Sequence, residues 1–171
     1  MIALFKKIYE VFEANKALFE DLGLEPIKHI DRFRGQPLNP AQFEYYDLPA
    51  MFIERRLVWN KVGKSYQGKL SLGFHVVTDA TWDTSNISTD SEAGLKNVMY
   101  HTLVQYLLDD LESENTSKMS RVDNEPVDTG VVIYEMLRYE CNYYDPMYTG
   151  PEYAEAMIEK LNLVGRLKKT L

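Results

Sequence analysis

Apolar and polar residues alternate along the stretch Tyr66–Asp79, and this period of two predicts a β-strand. One face of the strand would carry the apolar side chains Leu70, Leu72, Phe74 and Val76. The opposite face would carry the small or polar residues Lys69, Ser71, Gly73 and His75. We therefore expect His75 to face outward on the sheet, where its replacement by alanine would change stability by no more than ~0.5 kcal/mol.

Two further stretches have strand character. Pro49–Asn60 alternates in the same way, and a loop around Gly63 would join it to the first strand as an antiparallel hairpin. Val131–Asp145 is rich in β-branched and aromatic residues, which favour strands. The proline-bearing segment from Glu25 to Tyr46 is predicted to be long and irregular, and the polar stretch 112–130 is predicted to be a loop.

Apolar residues at helical spacing predict three helices. The first would run from the N-terminus to about Leu22, with Gly23 as its C-terminal cap. The second would run from about Ser91 to Leu111, with an apolar stripe made of Leu95, Val98, Met99, Leu103, Tyr106, Leu107 and Leu111. The third would begin at Pro151 and bury Ala154, Met157, Ile158, Leu161 and Val164.

The order helix, loop, hairpin, helix, strand, helix predicts an α+β fold. We expect a small antiparallel sheet with helices packed on one face and an extra C-terminal helix. Residues 1–146 would form the domain, and residues 147–171 would form a C-terminal helical extension.

Composition narrows the class of partner. The 171 residues carry a net charge of -7, which disfavours a general nucleic-acid binder and an anionic membrane surface as partner. The single cysteine, Cys141, excludes an intramolecular disulfide and favours a reducing compartment. Lys6 and Lys7 interrupt what would be the apolar core of a signal peptide, and no apolar run is long enough to span a membrane. We expect a protein that is made in the cytoplasm.

Three histidines are candidates for chemistry, and none stands in a recognised metal-binding spacing. His29 is followed two residues later by Asp31, which would make a metal pair without a third ligand. His101 lies beside the apolar stripe of the second helix and should be partly exposed. His75 belongs to the polar side of its strand. We therefore assign no catalytic, cofactor-binding or metal-binding residue.

The remaining polar motifs favour structural interpretations. Cys141 alternates with tyrosines on the last strand, which indicates a small buried residue. The stretch Val62–Ser65 resembles the last residues of a Walker A motif, but it lacks the upstream glycine of that motif and lies between two predicted strands. The carboxylate pairs Asp109–Asp110 and Asp123 with Glu125 are typical of a solvated face.

Tyrosine is abundant, with 12 copies. Tyr45 and Tyr46 lie in the proline-bearing segment, and others cluster at the end of the last strand: Tyr143, Tyr144, Tyr148 and Tyr153. Buried tyrosines are common in sheet cores, but exposed ones beside a long loop favour a partner surface over a pocket.

Four features in this order resemble the tail-terminator, or tail-completion, proteins of long-tailed bacteriophages and prophages. They are the helix "IALFKKIYEVFEANKALFEDLG", the strand "LPAMFIERR" entered from a proline-bearing segment, the strand "GKLSLGFHVVTD" that leads into the helix "SEAGLKNVMYHTLVQYLLDDL", and the last strand "VVIYEMLRYECNYYDP". The resemblance covers residues 1–146, and the segment from Met147 is longer than the core of that family.

The resemblance implies a structural protein and not an enzyme, without catalytic residues or cofactors. Such proteins form rings, typically hexamers, at the head-proximal end of the tail, where the ring ends growth of the tail tube and joins the tail to the head connector. The implied partners are further copies of the chain, the tail-tube protein and the connector protein. DNA would pass through the lumen without specific binding, which an acidic lumen would favour. The implied location is the virion tail or neck, and the host cytoplasm during assembly.

Three alternatives remain. The chain could be another neck or connector protein, an acidic adaptor for one partner, or a small-molecule-binding or enzymatic α+β domain with His29, Asp31 or His75 in a pocket. A ring protein should show a flat polar sheet face and a projecting loop. An enzyme should show a concave apolar site with convergent polar groups.

Overall fold

The computed structural model describes residues 1–39, 42, 45–62, 65–79, 85–129 and 132–144. Within them the chain forms three helices and five strands: α1 (Ile2–Ala14), α2 (Lys16–Asp21), β1 (His29–Arg32), β2 (Ala50–Val62), β3 (Ser65–Val77), α3 (Ser91–Leu108), β4 (Ser120–Asp128) and β5 (Ile133–Tyr144). This confirms the α+β class. The expected C-terminal helix, and with it the division between 1–146 and 147–171, lies outside the described residues.

The five strands form one sheet in the order β1-β2-β3-β5-β4. The predicted hairpin is confirmed, because β2 and β3 pair antiparallel along their whole length. The sheet is mixed and not purely antiparallel as predicted, since β1 runs parallel to β2. Two strands arise where loops were predicted: β1 within the proline-bearing segment, and β4 within the polar stretch 112–130.

The main core lies between the helices and one face of the sheet. The alternation of β3 is confirmed on this side, where Leu72 and Phe74 are buried against helical side chains such as Ile8 and Val104. Burying each such side chain contributes roughly 1.5–3 kcal/mol. All three helices contribute residues to this single cluster, so the helices pack on one face as predicted.

The N-terminal helical region consists of two helices and not one, because the chain breaks at Asn15. The predicted glycine cap is confirmed: Gly23 has φ +67, a conformation that glycine adopts without strain. The Leu24 N–H donates to the Phe19 carbonyl oxygen at 2.9 Å and closes the end of α2 in a Schellman-type turn.

Helix α3 packs on the sheet through a different side from the one that the sequence predicts. Leu103, Leu107 and Leu111 are buried as expected, but Leu95, Val98 and Tyr106 are 60%, 53% and 70% exposed. In their place the helix buries the polar residues Asn97, His101 and Gln105. The expectation that His101 is partly exposed was therefore wrong. One cause of this orientation of α3 is the hydrogen bond that the Thr78 hydroxyl donates to the Asn97 side-chain oxygen at 2.9 Å, because it satisfies a polar group inside the fold.

A second, smaller apolar cluster covers one end of the opposite face of the sheet. Its buried members are Ala50, Phe52, Val77, Tyr134 and Met136. The segment after β1 packs over them through Phe33, Tyr46 and Leu48. This segment therefore divides the second face of the sheet into a covered apolar end and an uncovered polar end.

Candidate functional site

The uncovered end of the second face, here called the polar sheet face, is built by strand register. Glu54 lies opposite Gly73, and Gly73 lies opposite Arg138 on the next strand. One step further along the strands, Arg56, Ser71 and Glu140 form a parallel row. The polar sheet face thus consists of Glu54, Arg56, Lys69, Ser71, Gly73, Arg138 and Glu140, on adjacent strands that keep their spacing fixed.

Ion pairs cross this face from strand to strand. Arg138 contacts Asp123 at 3.2 Å and Glu125 at 2.7 Å, and Lys69 contacts Glu140 at 2.8 Å. These side chains are largely solvent-exposed, so each pair contributes only about 0–1 kcal/mol to stability. Asp123 and Glu125 are therefore exposed, as predicted, and they alternate with basic groups to give a face of mixed charge.

His75 lies at the boundary between the polar sheet face and the covered end, and it is buried, with 3% of its surface exposed. The prediction of an outward, solvent-facing histidine was wrong. Alternation assigned His75 to the correct face, but Phe33 from the segment after β1 stacks on its ring with centroids 3.9 Å apart. Nothing in the strand's own pattern indicates that another segment covers this end of the face.

Two hydrogen bonds fix the His75 ring. Its Nδ1 lies 3.3 Å from the Tyr134 hydroxyl, and its Nε2 lies 3.3 Å from Glu54 Oε2. Burial lowers the pKa of His75; Glu54 opposes this shift, and Arg138 adds to it. A neutral ring satisfies both contacts if Nε2–H donates to Glu54 and Nδ1 accepts from Tyr134. The His75 ring thereby contacts the carboxylate of Glu54, whose side chain is 56% exposed on the polar sheet face.

The cavity beside this cluster is small and charged. It measures about 250 Å³, and its lining includes Glu54, Gly73, Met136 and Arg138. Pockets for small molecules are typically about 300–1,000 Å³ and mostly apolar. The geometry around His75 is therefore closer to a shallow depression on an interaction surface than to a ligand pocket.

His29 and Asp31 lie on β1 and line a separate cavity of about 400 Å³. The Asp31 carboxylate binds the Arg34 guanidinium at 2.8 Å, and the His29 ring packs beside Tyr46 and Phe52. Within the described ranges no three His, Cys, Asp or Glu side chains come together in a way that could hold a metal ion. His29 and Asp31 therefore gain no third ligand there.

Cys141 is buried, as predicted, and burial raises the pKa of its thiol to about 11. A thiol with that pKa is a poor nucleophile at neutral pH. Burial also lowers the pKa of His101 to about 4, which keeps this ring neutral inside the helix–sheet core.

Asp109 and the stretch Val62–Ser65, for which the sequence favours structural interpretations, lie at the end of a helix and between two strands, respectively. Asp109 accepts a bond from Arg121 at 2.6 Å, and its other oxygen lies 3.0 Å from the Tyr139 hydroxyl, so it joins the end of α3 to the sheet. Val62 ends β2 and Ser65 begins β3, which confirms that "VGKS" joins two strands; residues 63 and 64 lie outside the described residues.

The tyrosines divide between core and surface. Tyr143 is buried in the main core, whereas Tyr45 and Tyr144 are 92% and 41% exposed. Tyr46 packs into the smaller apolar cluster. Tyr148 and Tyr153 lie outside the described residues.

The sequence reasoning missed one surface, which is the outer edge of β2. Strand β1 pairs with β2 only as far as Ile53. From Glu54 to Val62, no strand within the described residues lies beside β2 on its outer side. Trp59 lies on this stretch, is 40% exposed, and packs edge-on against Tyr143 with ring centroids 5.8 Å apart. We call the stretch Arg55–Lys61 the basic edge.

No helix in the described part of the chain is long and apolar enough to cross a membrane.

Comparison with known proteins gives little direct evidence. No family model matches the chain, and no curated protein matches it. Among solved structures, the chain is similar to one from a structure described as "Virion of native gene transfer agent (GTA) particle", with 10% sequence identity and a TM-score of 0.48. The match covers 81% of this chain and 92% of that chain. At this identity and TM-score the likeness does not establish a shared fold and carries no argument about function.

Proposed function

We propose that this protein is a structural component of a phage or phage-like virion, a tail terminator that forms a ring at the head-proximal end of the tail. Two lines of reasoning support the proposal. The order of elements resembles that of the tail-terminator family, and the sheet presents exposed polar surfaces of the kind that bind other proteins. In this function the ring ends growth of the tail tube and provides the surface to which the head connector binds.

The observation that carries the proposal is that, among the described residues, no strand pairs with the outer side of β2 beyond Ile53 or with the outer side of β4. A closed ring needs two different surfaces on each copy, one complementary to the other, so that the contacts run head to tail. The outer side of β2 and the outer side of β4 lie at opposite edges of one sheet. Such an arrangement suits repeated addition of identical copies around an axis.

The net charge of -7 suits the passage of DNA through such a ring. Phosphates would be repelled by acidic side chains on the lumen wall, so that DNA slides without specific binding. Neutralising the acids that line the lumen should slow DNA passage during infection or packaging, and an unchanged rate would remove this part of the proposal.

The mass of the purified protein in solution tests the ring directly. Light scattering or sedimentation across a wide concentration series should reveal one closed species of several copies, a hexamer by the resemblance. Negative-stain images of that species should show rings with a central hole. Open filaments or non-specific aggregates of no fixed mass would contradict the proposal.

A second candidate function, a small-molecule-binding domain, is favoured by one observation. A cavity of about 460 Å³ lies between α1 and the segment after α2, lined in part by Tyr9, Phe12 and Ile27. Its size falls within the range of ligand sites. This function predicts a monomer whose melting temperature rises with a particular small molecule, and a replacement such as Phe12→Ala should abolish that rise.

A further inference from the structure

The two edges of the sheet that no further strand covers within the described residues carry opposite charge. From Arg55 to Thr78 the sequence holds no Asp or Glu, although the whole chain is acidic. The basic edge has Arg55 and Lys61 on the helix side of the sheet and Arg56 on the other side, and all three are exposed. Within the described part of the chain none of them forms an ion pair, so their charge faces solvent.

The opposite edge is formed by β4 and the segment that leads into it, and we call residues 109–128 the acidic edge. Its charged residues are mostly acidic: Asp109, Asp110, Glu112, Glu114, Asp123, Glu125 and Asp128, against Lys118 and Arg121. Arg121 pairs with Asp109, and Arg138 of β5 pairs with Asp123 and Glu125, so the excess negative charge of this edge lies mainly on Asp110, Glu112 and Glu114. The segment before β4 runs beside the end of β5, where the Tyr144 N–H donates to the Asn115 carbonyl oxygen at 2.8 Å. The exposed side chains of Glu112 and Glu114 therefore lie across the sheet from the basic edge, toward the same end of the strands.

These charges decide how two copies could meet. Charged side chains on a free strand edge usually prevent edge-to-edge association. Two basic edges would repel each other, and so would two acidic edges, which disfavours pairing about a two-fold axis. A basic edge facing an acidic edge is the combination that charge favours, and it leaves the pair of copies with one unused edge of each kind.

Trp59 supplies an apolar anchor in the middle of the basic edge. Its indole ring lies across Gly68, where an added Cβ would approach Leu57 Cδ1 to 2.7 Å and the indole to 3.1 Å. The glycine therefore makes room for the ring, and contact with Tyr143 holds it edge-on. A partly exposed tryptophan that is already fixed in position is the kind of residue that dominates binding energy at protein interfaces.

We propose that the basic edge of one copy docks on the acidic edge of a second copy, with Trp59 at the centre of the contact. This inference rests on the proposed function and names the interface by which the ring would close. Repetition of the contact is head to tail, so it generates a closed ring when the rotation between copies divides a full turn.

Charge reversal tests the interface. The variant Arg55→Glu/Arg56→Glu should raise the concentration needed for half-assembly by more than about tenfold, because like charges would then face each other. The variant Glu112→Lys/Glu114→Lys should fail in the same way. The matched control Lys6→Glu/Lys7→Glu makes the same change of charge on the exposed side of α1 and should assemble like the wild type.

Two rescue experiments separate a specific contact from a general effect of charge. A 1:1 mixture of the two double variants should recover assembly as a ring in which they alternate. A single chain that carries all four substitutions should assemble by itself. If both rescues fail although circular dichroism shows that each variant is folded, the edge-to-edge contact is wrong.

The remaining outcomes distinguish this inference from the proposed function. A wild-type ring that Arg55→Glu/Arg56→Glu leaves intact would overturn this interface alone. A wild-type chain that stays monomeric up to its solubility limit would count against both the ring and the interface. If the same variant instead loses affinity for a short DNA duplex while assembly is unchanged, the basic edge is a nucleic-acid surface and the proposal is wrong.

Discussion

At the scale of single residues, His75 gives the sharpest test of the structure. His75→Ala would leave a cavity beneath Phe33 and would remove the partner of Tyr134 and Glu54. We expect a loss of about 2–4 kcal/mol in the free energy of unfolding, measured by urea denaturation. Ser71→Ala, on the same face of the same strand, should cost less than about 1 kcal/mol. Equally small effects of both variants on the free energy of unfolding would indicate that His75 faces solvent and is not covered by Phe33.

His101 should make stability depend on pH. Burial lowers its pKa from 6.5 to about 4, so the unfolded chain takes up a proton before the folded chain does. Its contribution to stability is therefore complete above pH 6.5 and falls as the pH drops toward 4. Between about pH 8 and about pH 5 the loss should be about 2 kcal/mol.

The matched variants for this pH dependence are His101→Leu and His29→Gln. His101→Leu should flatten the curve of unfolding free energy against pH between these limits, because the buried titrating group is gone. His29→Gln changes a half-buried histidine outside the main core and should leave the slope in place. If the slope persists in His101→Leu, titratable groups other than His101 cause it.

Two glycines on β3 form a matched pair. In Gly68→Ala the new methyl group would meet Leu57 and Trp59 at distances that require movement, whereas in Gly73→Ala its nearest contact would be an ordinary 3.5 Å. We expect Gly68→Ala to be less stable than Gly73→Ala, because Leu57 and Trp59 must shift to admit the new methyl group at position 68. Chemical denaturation of both variants in parallel measures the difference. A cost for Gly73→Ala equal to that for Gly68→Ala would contradict the assigned position of the Trp59 ring.

At the scale of elements, the orientation of α3 is open to a direct test. Leu95→Lys and Val98→Lys should each change stability by no more than about 0.5 kcal/mol, because both side chains are mostly exposed. Val104→Ala should cost about 1–3 kcal/mol, since Val104 is fully buried. The apolar stripe inferred from the sequence predicts high costs at positions 95 and 98. Thermal or urea unfolding of the three variants decides between the two orientations.

The elements that sequence predicted well are the long ones with a clear period. The hairpin and β5 alternate or are rich in strand-forming residues over many positions, so their pattern survives local exceptions. Strand β1 has only four residues, too few for a period to be read. Strand β4 is exposed along nearly its whole length, so no apolar face marks it. The α3 stripe failed because Asn97, His101 and Gln105 are buried although they are polar.

The candidate site was predictable only in part for the same physical reasons. Alternation identified which residues share the polar sheet face, but not that Phe33 would cover His75, because that contact depends on the path of a distant segment. Strand edges depend on sheet order, which the pattern of a single strand does not encode. The signal that could have revealed the basic edge is the absence of acidic residues between Arg55 and Thr78 in an acidic chain.

At the scale of the whole molecule, two electrostatic effects oppose each other during assembly. Copies with a net charge of -7 repel one another at long range, while the basic and acidic edges attract at contact. Salt screens both, but at different concentrations, because the Debye length is about 30 Å at 0.01 M, about 10 Å at 0.1 M and about 3 Å at 1 M. Moderate salt therefore removes the long-range repulsion before it weakens the contacts between the edges.

The consequence is that assembly of the wild type should pass through a maximum as salt is raised. At fixed protein concentration, the assembled fraction measured by light scattering should rise toward about 0.1–0.2 M salt and fall toward about 1 M. The Arg55→Glu/Arg56→Glu variant has lost the attraction between edges, so salt only reduces repulsion and its assembled fraction should rise throughout. The Lys6→Glu/Lys7→Glu control should keep the maximum. A wild-type curve that rises throughout would show that apolar contacts such as Trp59 dominate the association and that the opposite charges of the edges contribute little.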